Sequence, residues 1–304
     1  MKTGYVSLIG RPNAGKSTLL NRIVGEKVAI VSDKPQTTRN RILAVKNYPD
    51  GQIVFVDTPG IHRPLHRLNV RMVDAAVATL SEVDVVAVIF DASTKPGHGD
   101  EFVTDLVKSV KGPVLLVLNK IDLVAKAKLL PLIDRVRVWR EFAAIVPVSA
   151  ATGDGVDALE RVLLDQLPEG APGFPEDYLT DQPERTLVAE TVREKVLRHT
   201  RAELPFSTAV VVDQFDETER ERMLKLYCTI YVETESQKPI IIGRAGEMIK
   251  RIGTDARKDL EAFFGTKVFL DLRVKVNPDW RDDDRALDQI GVPRSGRRDR
   301  KPRP

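Results

Sequence analysis

The chain has 304 residues, 42% apolar and 30% charged, with a formal net charge of +3. That is material for about two domains, and it excludes a wholly disordered chain. No apolar run approaches the roughly 20 residues that span a bilayer. The start, MKTGYVSLIGRP, shows no signal-peptide apolar segment. One cysteine, Cys228, fits a reducing compartment. The four histidines fall at no ligand spacing, which argues against zinc. A soluble cytoplasmic protein is expected.

The charge is uneven. Residues 1–183 carry 22 basic and 22 acidic side chains, and residues 184–280 carry 17 of each. Residues 281–304 carry 8 basic against 5 acidic and supply the whole excess. Any nucleic acid must therefore meet a local patch, not a cationic body.

In chain order, YVSLI (5–9), IVFV (53–56), VVAVIF (85–90), VLLVL (114–118) and AIVPVS (144–149) are short, β-branched and nearly continuous. They read as strands buried on both faces. Helical patterns lie between them, as at 17–24 and 98–110. The alternation predicts an α/β domain over 1–170, a mostly parallel sheet with helices on both faces. Residues 171–183 carry Pro172, Pro175 and Pro183 and read as a linker. An α+β domain is expected over 184–280. It runs as a helix at 184–202, strands at 206–213 and 224–234, a helical turn, a helix at 246–263 and a strand at 268–276. Residues 281–304 read as a polar, basic tail.

Gly10-Arg11-Pro12-Asn13-Ala14-Gly15-Lys16-Ser17, followed by Thr18, satisfies GxxxxGK[ST] between a strand and a helix, the context of a P-loop. Its backbone N–H groups and the helix dipole suit phosphate. Lys16 would bridge the outer phosphates, and the Ser17 hydroxyl would ligate Mg²⁺. Asp57-Thr58-Pro59-Gly60 ends another strand. Asp57 suits a water-mediated Mg²⁺ contact, and Gly60 can offer its N–H to the γ-phosphate. Asn119-Lys120-Ile121-Asp122 follows a third strand, where a carboxylate can accept from guanine N1–H and the 2-amino group. Adenine would leave that carboxylate unpaired, so the pattern favours GTP over ATP. Ser149-Ala150 stands where a backbone N–H could meet guanine O6.

These four elements, in this order, resemble the translation-factor-related GTPases. The resemblance implies that residues 35–39, PQTTR, form the first switch segment and that Thr38 coordinates Mg²⁺. It places Lys16, Thr38, Gly60 and Asn13 in catalysis. Asn13 matches an asparagine that helps related enzymes hold K⁺. Ile61 stands where other GTPases place a water-orienting glutamine, so slow intrinsic hydrolysis is expected.

Pro239-Ile240-Ile241-Ile242-Gly243-Arg244-Ala245-Gly246 contains GxxG. The next helix repeats apolar residues at Ile249, Ile252, Ala256, Leu260 and Phe263, a face that must pack on a sheet. The element order resembles a type II KH domain, whose GxxG clamps single-stranded nucleotides. Arg244, Lys250, Arg251, Arg257 and Lys258 would supply cations, offset by Glu247, Asp255 and Asp259. Ile242 and Ile249 are expected in the base-facing groove.

The combination, from about residue 4 to 292, resembles the Era family of ribosome-assembly GTPases. KPIIIG, RIGTDARKDLEAFFG, VKVNPDW and DDDRALDQIG carry that likeness. It implies binding of GTP or GDP, and of the 3′ end of small-subunit (16S) rRNA on the 30S subunit. GTP hydrolysis would then switch a step of subunit maturation. It also implies a monomer with a fraction peripheral to the membrane, which no motif here demands. The alternatives are an RNA-binding module with a slow or structural nucleotide pocket, and a GTPase acting on another RNA.

Overall fold

The computed structural model describes residues 1–34, 36–61, 66–200, 204 and 207–292. Pro35 of the switch segment, parts of the stretch expected to run from helix to strand at 201–206, and residues 293–304 of the tail lie outside them. The described residues form two compact units, 1–61 with 69–181, and 66–68 with 182–292.

The first unit is built as β1 (Lys2–Gly10), α1 (Lys16–Val24), β2 (Ile42–Tyr48), β3 (Gly51–Asp57), α2 (Arg67–Thr79), β4 (Val85–Asp91), α3 (His98–Leu106), β5 (Val114–Asn119), α4 (Leu129–Val136), β6 (Ala144–Pro147) and α5 (Val156–Gln166). The strands align in the order β2-β3-β1-β4-β5-β6. Only β2 runs antiparallel to its neighbour; the other four pairings are parallel. The continuous apolar runs follow from this, since both faces are covered. Val6, Leu8, Ala87 and Ile89 pack with Leu19, Leu20, Leu159 and Leu163 of α1 and α5. Ile9, Val86 and Val88 pack with Ala76, Val103 and Val136 of α2, α3 and α4. Strand order reverses about β1, and the crevice beyond the C-terminal strand ends is where such sheets bind ligands.

The second unit runs α6 (Glu184–His199), β7 (Ala209–Asp216), β8 (Met223–Val232), α7 (Lys238–Ile242), α8 (Glu247–Phe264), β9 (Lys267–Val276) and α9 (Asp284–Gln289). Its sheet has the order β7-β8-β9, with β8 antiparallel to β7 and parallel to β9. Leu224, Leu226, Cys228 and Ile230 of β8 pack against Val188, Val192, Ile252, Ala256 and Leu260. Two polar pins join α6 to α8: Lys195 Nζ donates to Asp259 Oδ2, and His199 Nε2 lies 2.8 Å from Asp255 Oδ2.

Three expectations need correction. The stretch read as a linker at 171–183 does not run free as far as residue 181. Thr180 bridges Ala44 of the edge strand β2, Val45 N–H donates to the Leu179 carbonyl at 2.9 Å, and Leu43 N–H donates to Asp181 Oδ1 at 3.1 Å. Phe174 and Tyr178 stack at 4.8 Å and pack on Leu43, Val45 and Val54. Proline bars helix here, but it does not bar an extended strap along an edge.

The polar tail at 281–304 is folded through residue 292. Asp283 caps α9 by accepting from Arg285 N–H at 2.9 Å, Ala286, Leu287 and Val292 are buried, and Arg281 Nη2 donates to Glu233 at 2.7 Å. Three apolar residues among charges were too few to show a period. In α8, Phe263 is 42% exposed, and Phe264 joins the core instead. The helix ends at Gly265, and position 264 completes the i, i+4 series from Leu260.

Leu260→Ala should lower the urea stability of the second unit, followed by hydrogen exchange in β8, by about 2–5 kcal/mol. Phe263→Ala should cost well under half of that. Equal losses would restore Phe263 to the core.

Candidate functional site

The nucleotide motifs gather at the C-terminal ends of β1, β3, β5 and β6. The loop 10–15 leaves β1 and enters α1 through Gly15, at φ 93°. A Cβ on Gly15 would stand 2.2 Å from Asn119 Nδ2, so only glycine allows this approach. No side chain caps α1, so N–H groups of its first turn lack the usual intrahelical or side-chain partners. Gly60 lies against Pro12, where a Cβ would meet Pro12 Cα at 2.8 Å. The crevice encloses about 340 Å³ and is lined by Pro12, Asn13, Lys16, Ser17, Thr38 and Gly60, among others.

Lys16 is buried and its ammonium donates to the carbonyls of Gly10 and Arg11, both at 3.1 Å. Burial lowers its pKa from the ordinary value, with Asp57 opposing. Asp57 is 0% exposed. Its Oδ2 accepts from Ser17 Oγ at 2.7 Å and Thr38 Oγ1 at 3.4 Å, and the two hydroxyls are 2.8 Å apart. Its Oδ1 is buried with no hydrogen-bond partner among the described residues. Burial pushes the Asp57 carboxyl upward, against Lys16 and the hydroxyls of Ser17 and Thr38. An orphaned buried carboxylate oxygen beside two hydroxyls is a donor set that fits a hard divalent cation. Among the described residues no group of three or more His, Cys, Asp or Glu could hold a metal.

Other predicted residues have partners within the protein. Thr58 Oγ1 donates to the Leu8 carbonyl at 2.8 Å and is fully buried. Ile61 is 1% exposed, and its side chain belongs to the core with Ile9 and Ala76. Its N–H donates to the Gly10 carbonyl at 3.2 Å. Asn13 is exposed, at φ 63°, and its Nδ2 donates to the Asp33 carbonyl at 2.7 Å. Asn119 faces the protein: Nδ2 donates to the Ala14 carbonyl at 2.8 Å and Oδ1 accepts from Ala150 N–H at 3.0 Å. Ser149 N–H donates to the Asp154 carbonyl. The backbone N–H groups of Ser149 and Ala150 are thus both bonded within the loops. Asp122 is exposed, with Oδ1 held by Ser149 Oγ at 2.6 Å. Ile121 packs with the α4 side of the core.

Motif reading missed two carboxylates. Lys120 Nζ donates to Asp91 Oδ2 at 2.6 Å, and Arg11 Nη1 to Asp100 Oδ2 at 2.8 Å. Despite the desolvation that opposes it, bonds from Lys120 and Ser93 hold Asp91 below the usual carboxylate range. Asp100 also accepts from Gly97 N–H at the start of α3. Asp91 directly follows the strand predicted at 85–90, which was a usable signal; Asp100 had none.

In the second unit, GxxG joins α7 to α8. Gly243, Ala245 and Gly246 have φ of 75°, 51° and 79°. A Cβ on Gly243 would stand 2.6 Å from Met248 Cβ. Arg244, Lys250 and Arg251 are exposed. Ile241, not Ile242, is the fully buried member of the isoleucine run. Ile249 and Lys250 line a groove of about 520 Å³ between α8 and β9. Its far wall, Val268 to Leu272, was not among the residues singled out, because a strand edge carries no motif.

Residues 5–120 match the model of the 50S ribosome-binding GTPase family, and residues 203–281 match that of the KH domain. GTPase Era of Geobacter metallireducens is 51% identical over 290 residues, 95% of this chain and 97% of the relative. GTPase Era of Heliobacterium modesticaldum is 46% identical, over 96% and 97%. A crystal structure of Era in complex with MgGDPNP and nucleotides 1506–1542 of 16S ribosomal RNA is 45% identical. It covers 96% of this chain and 99% of that one, with a TM-score of 0.93. An Aquifex aeolicus Era variant bound to GDP·AlF4⁻ is 44% identical over the same shares, with a TM-score of 0.91. This chain, a P-loop sheet joined to a KH fold and matched at this identity along nearly its whole length, belongs to the Era family of GTPases.

Proposed function

We propose that this GTPase binds GTP with Mg²⁺, binds the 3′ end of 16S rRNA through its KH fold, and assists 30S subunit maturation, with hydrolysis as the switch. The observation that carries the nucleotide half is the buried Asp57, one oxygen held by Ser17 and Thr38 and the other unpartnered. Ser17, Thr38 and Asp57 hold the cation, whose charge offsets that of the phosphates. The uncapped first turn of α1 and the N–H groups of residues 10–18 receive the phosphates, and Gly60 offers its N–H to the γ-phosphate. Lys16, leaving the Gly10 and Arg11 carbonyls, adds a cation whose burial strengthens its attraction to phosphate. Asp122, oriented by Ser149, accepts from guanine; Asn119, Lys120 and Ala150 hold that loop in place.

Ile61 is locked in the core and cannot orient water, so intrinsic turnover is slow. A K⁺ ion held by Asn13 Oδ1 beside the phosphates is part of this reading, while Nδ2 of the same side chain donates to the Asp33 carbonyl. Ile61 is also the observation that favours a second reading, an RNA-binding module whose pocket barely turns over.

The RNA half rests on the GxxG loop, the cations Arg244, Lys250 and Arg251, and the groove at Ile249, with Ile242 nearby. The crystal structure of Era holding MgGDPNP and 16S rRNA supports the pairing of nucleotide and RNA. β2 begins four residues after Thr38, and its edge is paired by 179–181, just before the second unit starts. Switch ordering thus has a short covalent and hydrogen-bonded route toward the RNA-binding unit. Among the described residues no helix is long and apolar enough to cross a membrane. We place the protein in the cytoplasm as a monomer, with any membrane fraction peripheral.

Asp122→Asn should weaken GTP binding by about 5- to 150-fold, the worth of roughly 1–3 kcal/mol of lost pairing, and raise affinity for XTP. Competition against a fluorescent GDP reads both changes, and unchanged GTP affinity would remove Asp122 from the base site. GTP turnover should be faster in KCl than in NaCl at matched ionic strength, and Asn13→Ala should erase the difference. No difference in the unaltered protein removes K⁺ from the reading. RNA of the 16S 3′-end sequence should bind the GTP-analogue form more tightly than the GDP form. Equal affinities would end the switch, because a ligand indifferent to two states shifts neither.

A further inference from the structure

The turn that carries Asp122 is headed by a residue in an unfavourable conformation. Lys120 stands at φ 66° and ψ 36°, in the left-handed region, just before the 3-10 turn Ile121–Leu123. A residue with a Cβ is disfavoured there and persists only where its surroundings hold it. Backbone bonds supply part of that hold. The Lys120 carbonyl accepts from Leu123 N–H at 3.0 Å, and Ile121 N–H donates to the Val148 carbonyl at 3.2 Å. The rest comes from the far end of the side chain, where Nζ donates to Asp91 Oδ2 at 2.6 Å. Between these two anchors the stem passes beside the phosphate loop. A Cβ on Gly15 would lie 4.0 Å from Lys120 Cε, and Lys120 lines the nucleotide crevice.

The other half of the pin is itself fixed. Asp91 ends β4 opposite Asn119 of β5, and Ala92 N–H donates to the Asn119 carbonyl at 2.8 Å. Asp91 Oδ1 accepts from Ser93 N–H at 2.9 Å and from Ser93 Oγ at 2.5 Å. The carboxylate is thereby held in one orientation, with Oδ2 toward Lys120. The side chains of Asp91 and Lys120 are 13% and 29% exposed, so their attraction is less screened than that of a surface pair. Desolvation opposes ionisation of Asp91, but the bonds from Lys120 and Ser93 outweigh it and keep the group charged at neutral pH.

We propose that Asp91 is a positioning residue for the guanine base. By pinning Lys120 Nζ it keeps Lys120 in the left-handed region and its stem beside the phosphate loop. It thereby sets the direction of Asp122, two residues further along the same turn. The proposal rests on the reading of Asp122 as the guanine acceptor. Nucleotide affinity then depends on Asp91, whereas the chemistry at the γ-phosphate, on the side of Lys16 and Thr38, does not.

Asparagine is the informative replacement. Both Asp91 oxygens receive donors, and a carboxamide has one oxygen, so its NH2 group must face a donor. Ser93 offers two donors and Lys120 one, so the NH2 group turns to Lys120; the shape is kept and the pin is broken. With the full chain, Mg²⁺ and a fluorescent GDP, Asp91→Asn should weaken GDP and GTP binding about tenfold, the lower end for a hydrogen bond between charged groups. KM for GTP should rise by the same factor, with kcat within twofold. In an Asp122→Asn background, XTP affinity should fall by that factor too, because the pin sets position and not the chemistry of the base edge. Lys120→Met keeps an unbranched stem without the ammonium and should lose as much as Asp91→Asn. The two changes together should lose no more than either alone.

Additive losses would mean that Asp91 acts through the Ser93 turn and would overturn the proposal. So would unchanged affinity in Asp91→Asn, or a fall in kcat at constant KM. If hydrogen exchange in β4 shows that Asp91→Asn does not fold, Lys120→Met decides: unchanged affinity there overturns the pin, and a tenfold loss at constant kcat upholds it. Failure of the Asp122 reading looks different, since Asp122→Asn would then leave GTP affinity unchanged, and this proposal would fall with it.

Discussion

The nucleotide end of the first unit depends on the carboxamide of Asn119. It donates to the Ala14 carbonyl and accepts from Ala150 N–H, so it ties the loops after β1, β5 and β6 into one body. Asn119 is buried, and leaving either function unmade would cost about 1–3 kcal/mol. Its approach also fixes Gly15, because any Cβ there would collide with Nδ2. The phosphate loop is therefore shaped by a residue more than a hundred positions away, before any phosphate arrives. Preorganised donors of this kind do not have to reorganise when charge arrives.

Around that clasp the site is polarised by burial. Lys16 and Asp57 are both withdrawn from water, and each is pushed toward its neutral form by desolvation while the other pulls it back. Such a pair is costly in isolation and is relieved by the ligands it awaits, an anion for one and a cation for the other. Thr38 and Ser17 share the Asp57 oxygen that the protein does satisfy. The remaining oxygen is buried with no partner among the described residues.

Much of this was legible in the sequence, and the reasons it was not complete are physical. The P-loop, DTPG and NKID runs were readable because each sits at the end of a strand buried on both faces, where apolar continuity is strong. The motifs gave residue types but not which atoms turn inward. Asn119 and Thr58 serve the scaffold, and Ile61 turns into the core. The edge strap at 173–181 was hidden because a proline-rich stretch paired along a strand edge has no period. α9 was hidden because a six-residue helix carries too few apolar positions to show one. Phe263 and Phe264 differ by one position, which on a helix is about 100° of rotation, and only packing decides between them.

The two units, unlike in fold, begin the helix at their proposed phosphate sites in the same way. α1 begins at Gly15 and α8 at Gly246, both in the left-handed region, and neither has a side-chain cap. A serine or aspartate at either position would be strained at that positive φ, and at Gly15 its Cβ would collide with Asn119 Nδ2. A side-chain oxygen capping the first turn would also occupy the N–H groups that an anion needs. Glycine leaves those donors open, with the helix dipole behind them. In the proposed function, what each site recognises is decided elsewhere: by Asp122 beside Ser149, and by the walls of the α8–β9 groove. Backbone at a helix start supplies affinity for phosphate without regard to what the phosphate belongs to. Side chains at a distance must therefore supply the distinction between a nucleotide and a strand of RNA.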